Sequence, residues 1–181
     1  PAAPTGQISE ERFTPQISEI GQRHPVTRPM LSGEGEWGPW FRRIGARPLS
    51  GETVLEAPNG DPLLTLSHEG QGRAAILLSD QAWLWARGYE GGGPHVALLR
   101  RLAHWLMKEP DLEEEDLRAV AEGHNLTIVR RSVEDTYPPV QVTLPSGIQN
   151  TVTLTKGVGG RARRGAAPRG GPERTQRKRL L

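Results

Sequence analysis

Short apolar runs separated by glycine turns dominate the middle of the chain. Thr53–Glu56 and Pro62–Ser67 flank Asn59-Gly60, a pair typical of tight hairpin turns. A second glycine turn at residues 69–72 leads into a third apolar run, Arg73–Ser79. The pattern therefore predicts three consecutive strands joined as a meander.

After the meander, the spacing of apolar residues changes to that of an amphipathic helix. Pro94 suits the first helical position, because its missing N–H would have no partner there, and Pro110 ends the pattern. Residues three and four apart share one face of a helix, so the spacing predicts a core-facing side. The apolar residues of this spacing are Leu98, Leu99, Leu102, Trp105 and Leu106, and the polar ones on the other face are Arg100, Arg101, His104 and Lys108.

Beyond the helix, alternation returns and predicts four short strands, at residues 117–122, 125–131, 140–144 and 151–155. Short strands separated by turns indicate part of a β-sandwich. From residue 156 to 181 the chain is mostly Arg, Gly, Ala and Pro, which cannot bury enough apolar surface to order itself. We expect this segment to be a disordered basic tail.

Composition narrows the possible chemistry. The absence of cysteine excludes disulfides, thiolate zinc sites and a cysteine nucleophile. No run reaches the roughly 20 apolar residues of a membrane span, so the chain as given is expected to be soluble. The net charge of +2 hides an asymmetry, because residues 156–181 carry 9 − 1 = +8 and residues 1–155 carry 14 − 20 = −6. A basic tail can contact nucleic-acid phosphates, but this one has no aromatic side chain for stacking, and disorder without such a function is favoured.

Candidate binding residues cluster after the third strand of the meander. Ligands collect at the carboxyl ends of strands in an open α/β sheet, and Asp80 would stand there. An aspartate can equally cap its own turn, and glycines before a helix can cradle an anion, although no P-loop lysine or hydroxyl completes the motif. The candidates are Asp80, Trp83, Trp85, Arg87, Gly91, Gly92, Gly93 and His95.

Two alternatives attach to these candidates. If extended, Trp83, Trp85 and Arg87 would share a face and could stack on a planar ligand, although packing against the helix is favoured. Asp80 and His95 could form an acid/base pair of a hydrolase-like pocket, provided that their side chains converge within hydrogen-bond reach. Metals and cofactors are not predicted, because no spacing typical of metal ligands is found among the histidines, which are His24, His68, His95, His104 and His124.

Several stretches together resemble one known family. They are His24-Pro25-Val26-Thr27, Trp37-Gly38-Pro39-Trp40-Phe41-Arg42, Gly72-Arg73 leading to Ser79-Asp80-Gln81-Ala82-Trp83-Leu84-Trp85, and the run from Glu90-Gly91-Gly92-Gly93-Pro94 to Pro110. Over about residues 10 to 145 the chain is similar to the C-terminal part of a large bacterial membrane-associated protein family. That family carries a class I glutamine amidotransferase-like domain.

The resemblance implies a fold and a function. It implies a partial flavodoxin-like α/β domain at residues 37–110, preceded by an extended segment at 1–36 and followed by a partial β-sandwich module at 111–155 and the tail at 156–181. True class I amidotransferases use a cysteine and a histidine, and no catalytic residue carries over to this cysteine-free chain, although Asp80 stands near the place of that histidine. We therefore expect a noncatalytic binding or interaction module, a fragment of a membrane-associated parent. Its partners would be other domains of the parent or another protein, and it would reach the membrane only through the parent's helices.

Overall fold

The computed structural model describes residues 2–33, 36–122, 125–134, 137–144, 147–156 and 161–168. The chain divides into two compact units, Pro1–Glu114 and Glu115–Leu181. Among the described residues, no helix has both the length and the apolar character needed to cross a membrane.

The first unit contains two antiparallel sheets and a helical segment. Its strands are β1 (Ala2–Ser9), β2 (Gln16–Ile17), β3 (Arg43–Pro48), β4 (Glu52–Glu56), β5 (Pro62–Glu69) and β6 (Gly72–Leu77). β1 pairs with β3, and the larger sheet has the order β2-β4-β5-β6. The helices are α1 (Trp83–Ala86) and α2 (His95–Leu106), with 3₁₀ helices at Arg28–Ser32, Tyr89–Gly91 and Pro110–Leu112.

The predicted meander is confirmed. β4 pairs with β5 and β5 with β6, both antiparallel, with Leu64 opposite Leu77 in the second pair. Gly60 and Gly70 in the two turns have φ of +85° and +59°, a conformation that glycine adopts without strain. Local turn chemistry thus sets this part of the sheet.

The core of the first unit lies between the larger sheet and α2. Six consecutive residues of β5, from Pro62 to Ser67, are buried, and Trp40 and Trp105 are fully buried. The helix predicted after Pro94 is confirmed, and Leu98 and Trp105 are its buried residues. Two further residues assigned to its core face, Leu99 and Leu106, are instead 40% and 39% exposed.

The prediction of a flavodoxin-like α/β domain is wrong. Every strand pair among the described residues is antiparallel, and the strands lie in several small sheets without helices layered on both faces. Parallel neighbours need a crossover of a dozen or more residues, whereas the turns within 52–77 are too short for one. The prediction of a helix after β6 was correct. This helix, however, is followed in the chain by a strand of the second unit and completes no βαβ element.

The N-terminal segment is more structured than an extended chain. Residues 1–36 were expected to be extended, and the prolines within 23–29 favour this because each restricts the residue before it. Instead, the backbone turns at His24, whose carbonyl accepts hydrogen bonds from the N–H groups of Thr27 and Arg28, and it continues into the 3₁₀ helix at Arg28–Ser32. Proline is compatible with the first turn of a helix, since no N–H is needed there.

The second unit is built of short antiparallel strands. They are β7 (Asp116–Glu122), β8 (Asn125–Arg131), β9 (Val140–Thr143), β10 (Gln149–Val152), β11 (Thr155–Lys156) and β12 (Arg161–Pro168), in sheets of order β11-β12-β8-β7 and β9-β10. Ile128, Val152 and Leu154 form a small buried cluster. Strands are confirmed at 117–122, 125–131 and 140–143, and the fourth runs from 149 to 152 instead of 151 to 155. The predicted turns at residues 123–124 and 145–146 lie outside the described residues.

The expectation of a disordered tail is wrong for Arg161–Pro168. This segment is β12 and pairs antiparallel with β8, with Arg161 opposite Arg131 and Pro168 opposite Asn125. The prediction counted apolar side chains, whereas backbone pairing along an open strand needs none. Residues 157–160 and 169–181 lie outside the described residues.

Candidate functional site

Asp80 fastens the end of the meander to the start of β3. Its carboxylate forms a two-pronged ion pair with Arg42, in which Nε of Arg42 lies 3.2 Å from Oδ1. Next to it, the hydroxyl of Ser79 donates to the carbonyl of Arg42 at 2.7 Å, and the N–H of Phe41 donates to the side-chain oxygen of Gln81 at 2.7 Å. The carboxylate that was a candidate ligand contact is therefore held within a local cross-link.

Trp83, Trp85 and Arg87 do not form a shared face. They lie in and just after the short helix α1, so the extended conformation that would align them is absent. Trp85 is buried, donates its indole N–H to the carbonyl of Gly38 at 2.8 Å and packs on the rings of Trp37 and Trp40. Trp83 is 54% exposed. Trp85 therefore has the packing role that was favoured for these residues.

The glycines before α2 are required by packing. A Cβ on Gly93 would overlap the indole ring of Trp85, and a Cβ on Gly38 would overlap the carbonyl oxygen of Tyr89. The N–H of Gly38 donates to the carbonyl of Gly92 at 2.6 Å, which holds the two segments at this distance. Gly92 itself has φ of +68°. This close approach explains the run of glycines without a ligand.

Gly91, Gly92 and Gly93 also line a cavity of about 370 Å³. Its charged lining residues are Glu36 and Arg101, and Arg101 donates two hydrogen bonds to the carbonyl of Pro25, at 3.0 and 2.6 Å. Most of the remaining lining is apolar or glycine, including Met30, Trp37 and Pro94. The cavity has little chemistry with which to hold an anion.

Asp80 and His95 are not brought together. Asp80 is bonded to Arg42, while Nδ1 of His95 is buried and has no hydrogen-bond partner. Neither residue lines the described cavity beside the glycines. The convergence in a concave site that an acid/base pair requires is not present among the described residues.

A carboxylate cluster lies elsewhere in the first unit, and sequence reasoning did not find it. Oε1 of Glu114 lies 2.5 Å from the indole nitrogen of Trp105 and 3.3 Å from Nε2 of both His24 and His68. His24 is 1% exposed, and the side chain of His68 is 57% exposed. One oxygen thus meets three ring nitrogens that are brought from three different elements.

The hydrogen bonds assign the tautomer of His24. Its Nδ1 accepts the N–H of Val26 at 3.2 Å, so the proton of a neutral ring is on Nε2 and points to Glu114. A ring nitrogen that carries a proton cannot ligate a metal through its lone pair. In agreement, the described residues contain no group of three or more His, Asp or Glu side chains placed to hold a metal ion.

The environment of this cluster shifts the pKa values of two carboxyl groups in opposite directions. Burial alone would raise the pKa of Glu114, but hydrogen bonds from His24, from its own backbone N–H and from Trp105 outweigh burial and lower its pKa to about 2. Burial raises the pKa of Glu52, and the negative charge of Glu114 raises it further, against the opposing effect of His24. Glu114 is therefore a stable anion, and its negative charge disfavours the ionised form of Glu52.

The outer face of α2 is a second feature that the sequence did not reveal. It carries apolar side chains within about 100° of the helix circumference, a width typical of a face that packs against a partner. They are Val96 (74% exposed), Leu99 (40%), Leu106 (39%), Met107 (64%) and the exposed Ala103. We refer to these five residues as the α2 stripe. The helical spacing was read as one core-facing side, whereas α2 has two adjacent apolar sides, and only one of them is buried.

Comparisons with protein-family models, with curated proteins and with solved structures find no match to this chain.

Proposed function

We propose that this chain is a noncatalytic interaction module of a larger membrane-associated protein of the family that it resembles in sequence. The module docks on another domain of that protein. The observation that carries the proposal is the α2 stripe. A helix in a monomeric domain normally turns one apolar side to the core and polar residues to water. Here a second apolar side remains uncovered in the described part of the chain.

Burial of the α2 stripe against a partner would favour association. Val96 and Met107 are more than 60% exposed, and Leu99 and Leu106 are about 40% exposed. Full burial of a large apolar side chain is worth about 1.5–3 kcal/mol. Covering what remains exposed on these four therefore favours association by several kcal/mol before entropy costs are subtracted. A contiguous apolar patch of this kind is characteristic of an interaction surface.

The enzyme alternative has less support. The ionisable group with the largest described pKa shift, Glu114, has the ring nitrogens of Trp105, His24 and His68 around one oxygen and lines none of the described cavities. Catalytic carboxyl groups need access to a substrate in a concave site. The Glu114 arrangement has the character of a structural cross-link.

A co-purification experiment tests the proposal. The untagged chain is co-expressed with a tagged polypeptide that comprises the other domains of the proposed parent protein, and recovery of the chain on the tag is measured. We expect the pair Val96→Glu and Leu99→Glu to abolish recovery, because it places two carboxylates on the α2 stripe. Leu49→Glu is the matched control, since Leu49 is 64% exposed but lies outside α2.

Two results would contradict the proposal. One is recovery that the stripe variant and the Leu49 variant reduce equally, because the effect would then not depend on α2. The other is a lack of any recovery of the wild-type pair. Circular dichroism of each variant establishes that the helix content is retained.

A further inference from the structure

We propose that Asn59 is a site of covalent modification, at which the backbone nitrogen of Gly60 displaces the side-chain amide and a carboxylate finally takes its place. This inference is independent of the proposed function. It is carried by two observations: the pair Asn59-Gly60 lies in an exposed turn, and the amide group makes specific contacts there.

The turn that carries Asn59 offers little hindrance to this reaction. Asn59 and Gly60 lie between β4 and β5, and both are exposed. Gly60 has no side chain to obstruct the approach of its nitrogen to the amide carbon, and a Cβ placed on it would have no atom within 4 Å. The other asparagines, Asn125 and Asn150, are followed by leucine and threonine, whose side chains obstruct the same approach. Asn59 is therefore the asparagine at which the reaction is sterically easiest.

The reaction consumes only water and releases ammonia. The nitrogen of Gly60 gives up its proton and forms a bond to the side-chain carbonyl carbon of Asn59, while the bond from that carbon to the amide nitrogen breaks and ammonia leaves with the proton. Water then opens the resulting succinimide ring. Attack of water on the side-chain carbonyl carbon gives aspartate with a normal backbone, and attack on the backbone carbonyl carbon gives isoaspartate.

The folded turn restrains both reacting groups. The N–H of Gly60 donates to the carbonyl oxygen of Ala57 at 2.8 Å. The amide of Asn59 donates from Nδ2 to Oδ2 of Asp61 at 2.8 Å, and its Oδ1 accepts the N–H of Asp61 at 3.3 Å. Attack requires the Gly60 nitrogen to leave Ala57 and the amide to rotate towards it. We therefore expect the reaction to proceed through local opening of the turn and to be slower in the folded chain than in the unfolded one.

The modification removes a contact that supports an ion pair at the base of the turn. Oδ2 of Asp61 accepts Nε of Arg43 at 2.9 Å as well as Nδ2 of Asn59. A carboxylate at position 59 cannot donate a hydrogen bond to Asp61 and adds a like charge beside it. Because Arg43 lies on β3 and its guanidinium is 5.1 Å from the centre of the Phe13 ring, the change weakens the link between the hairpin, β3 and the N-terminal segment.

Isoaspartate disturbs the turn further, because its backbone is longer by one carbon atom. The turn is closed by a hydrogen bond of 2.8 Å from the N–H of Ala57 to the carbonyl oxygen of Asp61. Ala57 is 1% exposed, so it is packed in the core and cannot move aside freely. We expect the isoaspartate product to loosen the pairing beside the turn, where Glu56 lies opposite Pro62.

Ageing of the purified full chain tests the inference. The chain is incubated in mildly alkaline buffer with and without urea, and conversion of each asparagine is followed by mass spectrometry after digestion. We expect conversion at Asn59 to exceed that at Asn125 and Asn150 by at least about tenfold, and urea to accelerate it by at least about threefold. Conversion at Asn59 no faster than at the other two would overturn the assignment of the site. Equal rates with and without urea would overturn the restraint by the folded turn.

A substitution that reproduces the aspartate product tests the consequence. Asn59→Asp should shift the urea midpoint of the tryptophan fluorescence transition to lower concentration, whereas Gln22→Glu, the same amide-to-acid change at another exposed residue of the first unit, should not. The shift should shrink in the Asp61→Asn background, where the neighbouring charge is absent. An unchanged midpoint in Asn59→Asp, or a shift that Asp61→Asn leaves at full size, would overturn the link to the ion pair with Arg43.

Discussion

Trp105 donates its indole N–H to Oε1 of Glu114 over 2.5 Å, and this bond joins the end of α2 to the last residue of the first unit. The same oxygen lies 3.3 Å from the ring nitrogens of His24 and His68. Because His68 is on β5, the carboxylate links the N-terminal segment, the sheet and the helix. We interpret the cluster as a cross-link that holds α2 in place and thereby presents its outer face.

Glu114→Gln should destabilise the first unit by about 2 kcal/mol at pH 7. A pKa lowered from 4.5 to about 2 corresponds to at most about 3 kcal/mol, and residual contact with solvent reduces that figure. The loss is measured by urea unfolding followed by tryptophan fluorescence, since all five tryptophans lie between residues 37 and 105.

The effect of this substitution depends on pH. Between pH 4.5 and 2 the folded wild type binds fewer protons at Glu114 than the unfolded chain does, so its stability falls as the solution is acidified through this window. The difference between wild type and Glu114→Gln should therefore be complete above pH 5 and vanish near pH 2. Glu19→Gln, at an 84% exposed side chain, is the control, and a difference that persists at pH 2 would refute the assignment.

Glu52→Gln should stabilise the same unit at pH 7. Burial and the charge of Glu114 raise the pKa of Glu52, so its ionised form is disfavoured in the folded state. For a raised pKa the folded state holds the extra proton, and the penalty is complete above the folded pKa and absent below the ordinary one. The gain should disappear in acid, and it should shrink but persist in the Glu114→Gln background, because burial contributes more to the raised pKa than the charge of Glu114 does. Urea unfolding of the double variant measures that coupling.

What the sequence allowed us to predict was local. Asn59-Gly60 set a hairpin because an adjacent turn determines the pairing of the strands beside it, and Pro94 marked the start of α2 within one residue. The contact between His24 and Glu114 joins positions 90 residues apart, and no spacing rule reports such a contact. Trp83 and Trp85 show the same limit, since alternation suggested a shared face and the chain instead forms a helical turn.

The failure of the fold class has a related cause. The resemblance and the strand after Gly72 suggested the edge of a parallel sheet, but pairing partners are a tertiary property that the apolar run of β6 does not encode. For β12 the error was the reverse: a segment without large apolar residues was predicted to be disordered, although its backbone pairs with β8. Composition predicts burial better than it predicts pairing.

Gly93→Ala should destabilise the first unit by at least about 2 kcal/mol, because the added methyl group would overlap the indole ring of Trp85 in a packed interior. Gly72→Ala is the control, since the nearest atom to its added methyl is the carbonyl oxygen of Glu69 at 3.4 Å, an ordinary contact. Thermal unfolding and the fluorescence of Trp85 report the effect. Unchanged stability in Gly93→Ala would mean that the glycines are not required by packing and would reopen a ligand-binding role for them.

Val96→Glu with Leu99→Glu should change the free energy of unfolding by less than about 1 kcal/mol, which separates a docking surface from a core. Val96 is 74% and Leu99 is 40% exposed, so a glutamate at either position keeps its charge in water, and exposed substitutions typically shift stability by about 0.5 kcal/mol or less. Trp105→Ala, at a fully buried residue of the same helix, should instead cost about 3–5 kcal/mol. Urea unfolding measures both. A stripe variant as unstable as Trp105→Ala would show that the outer face of α2 packs within this chain and has no room for a partner.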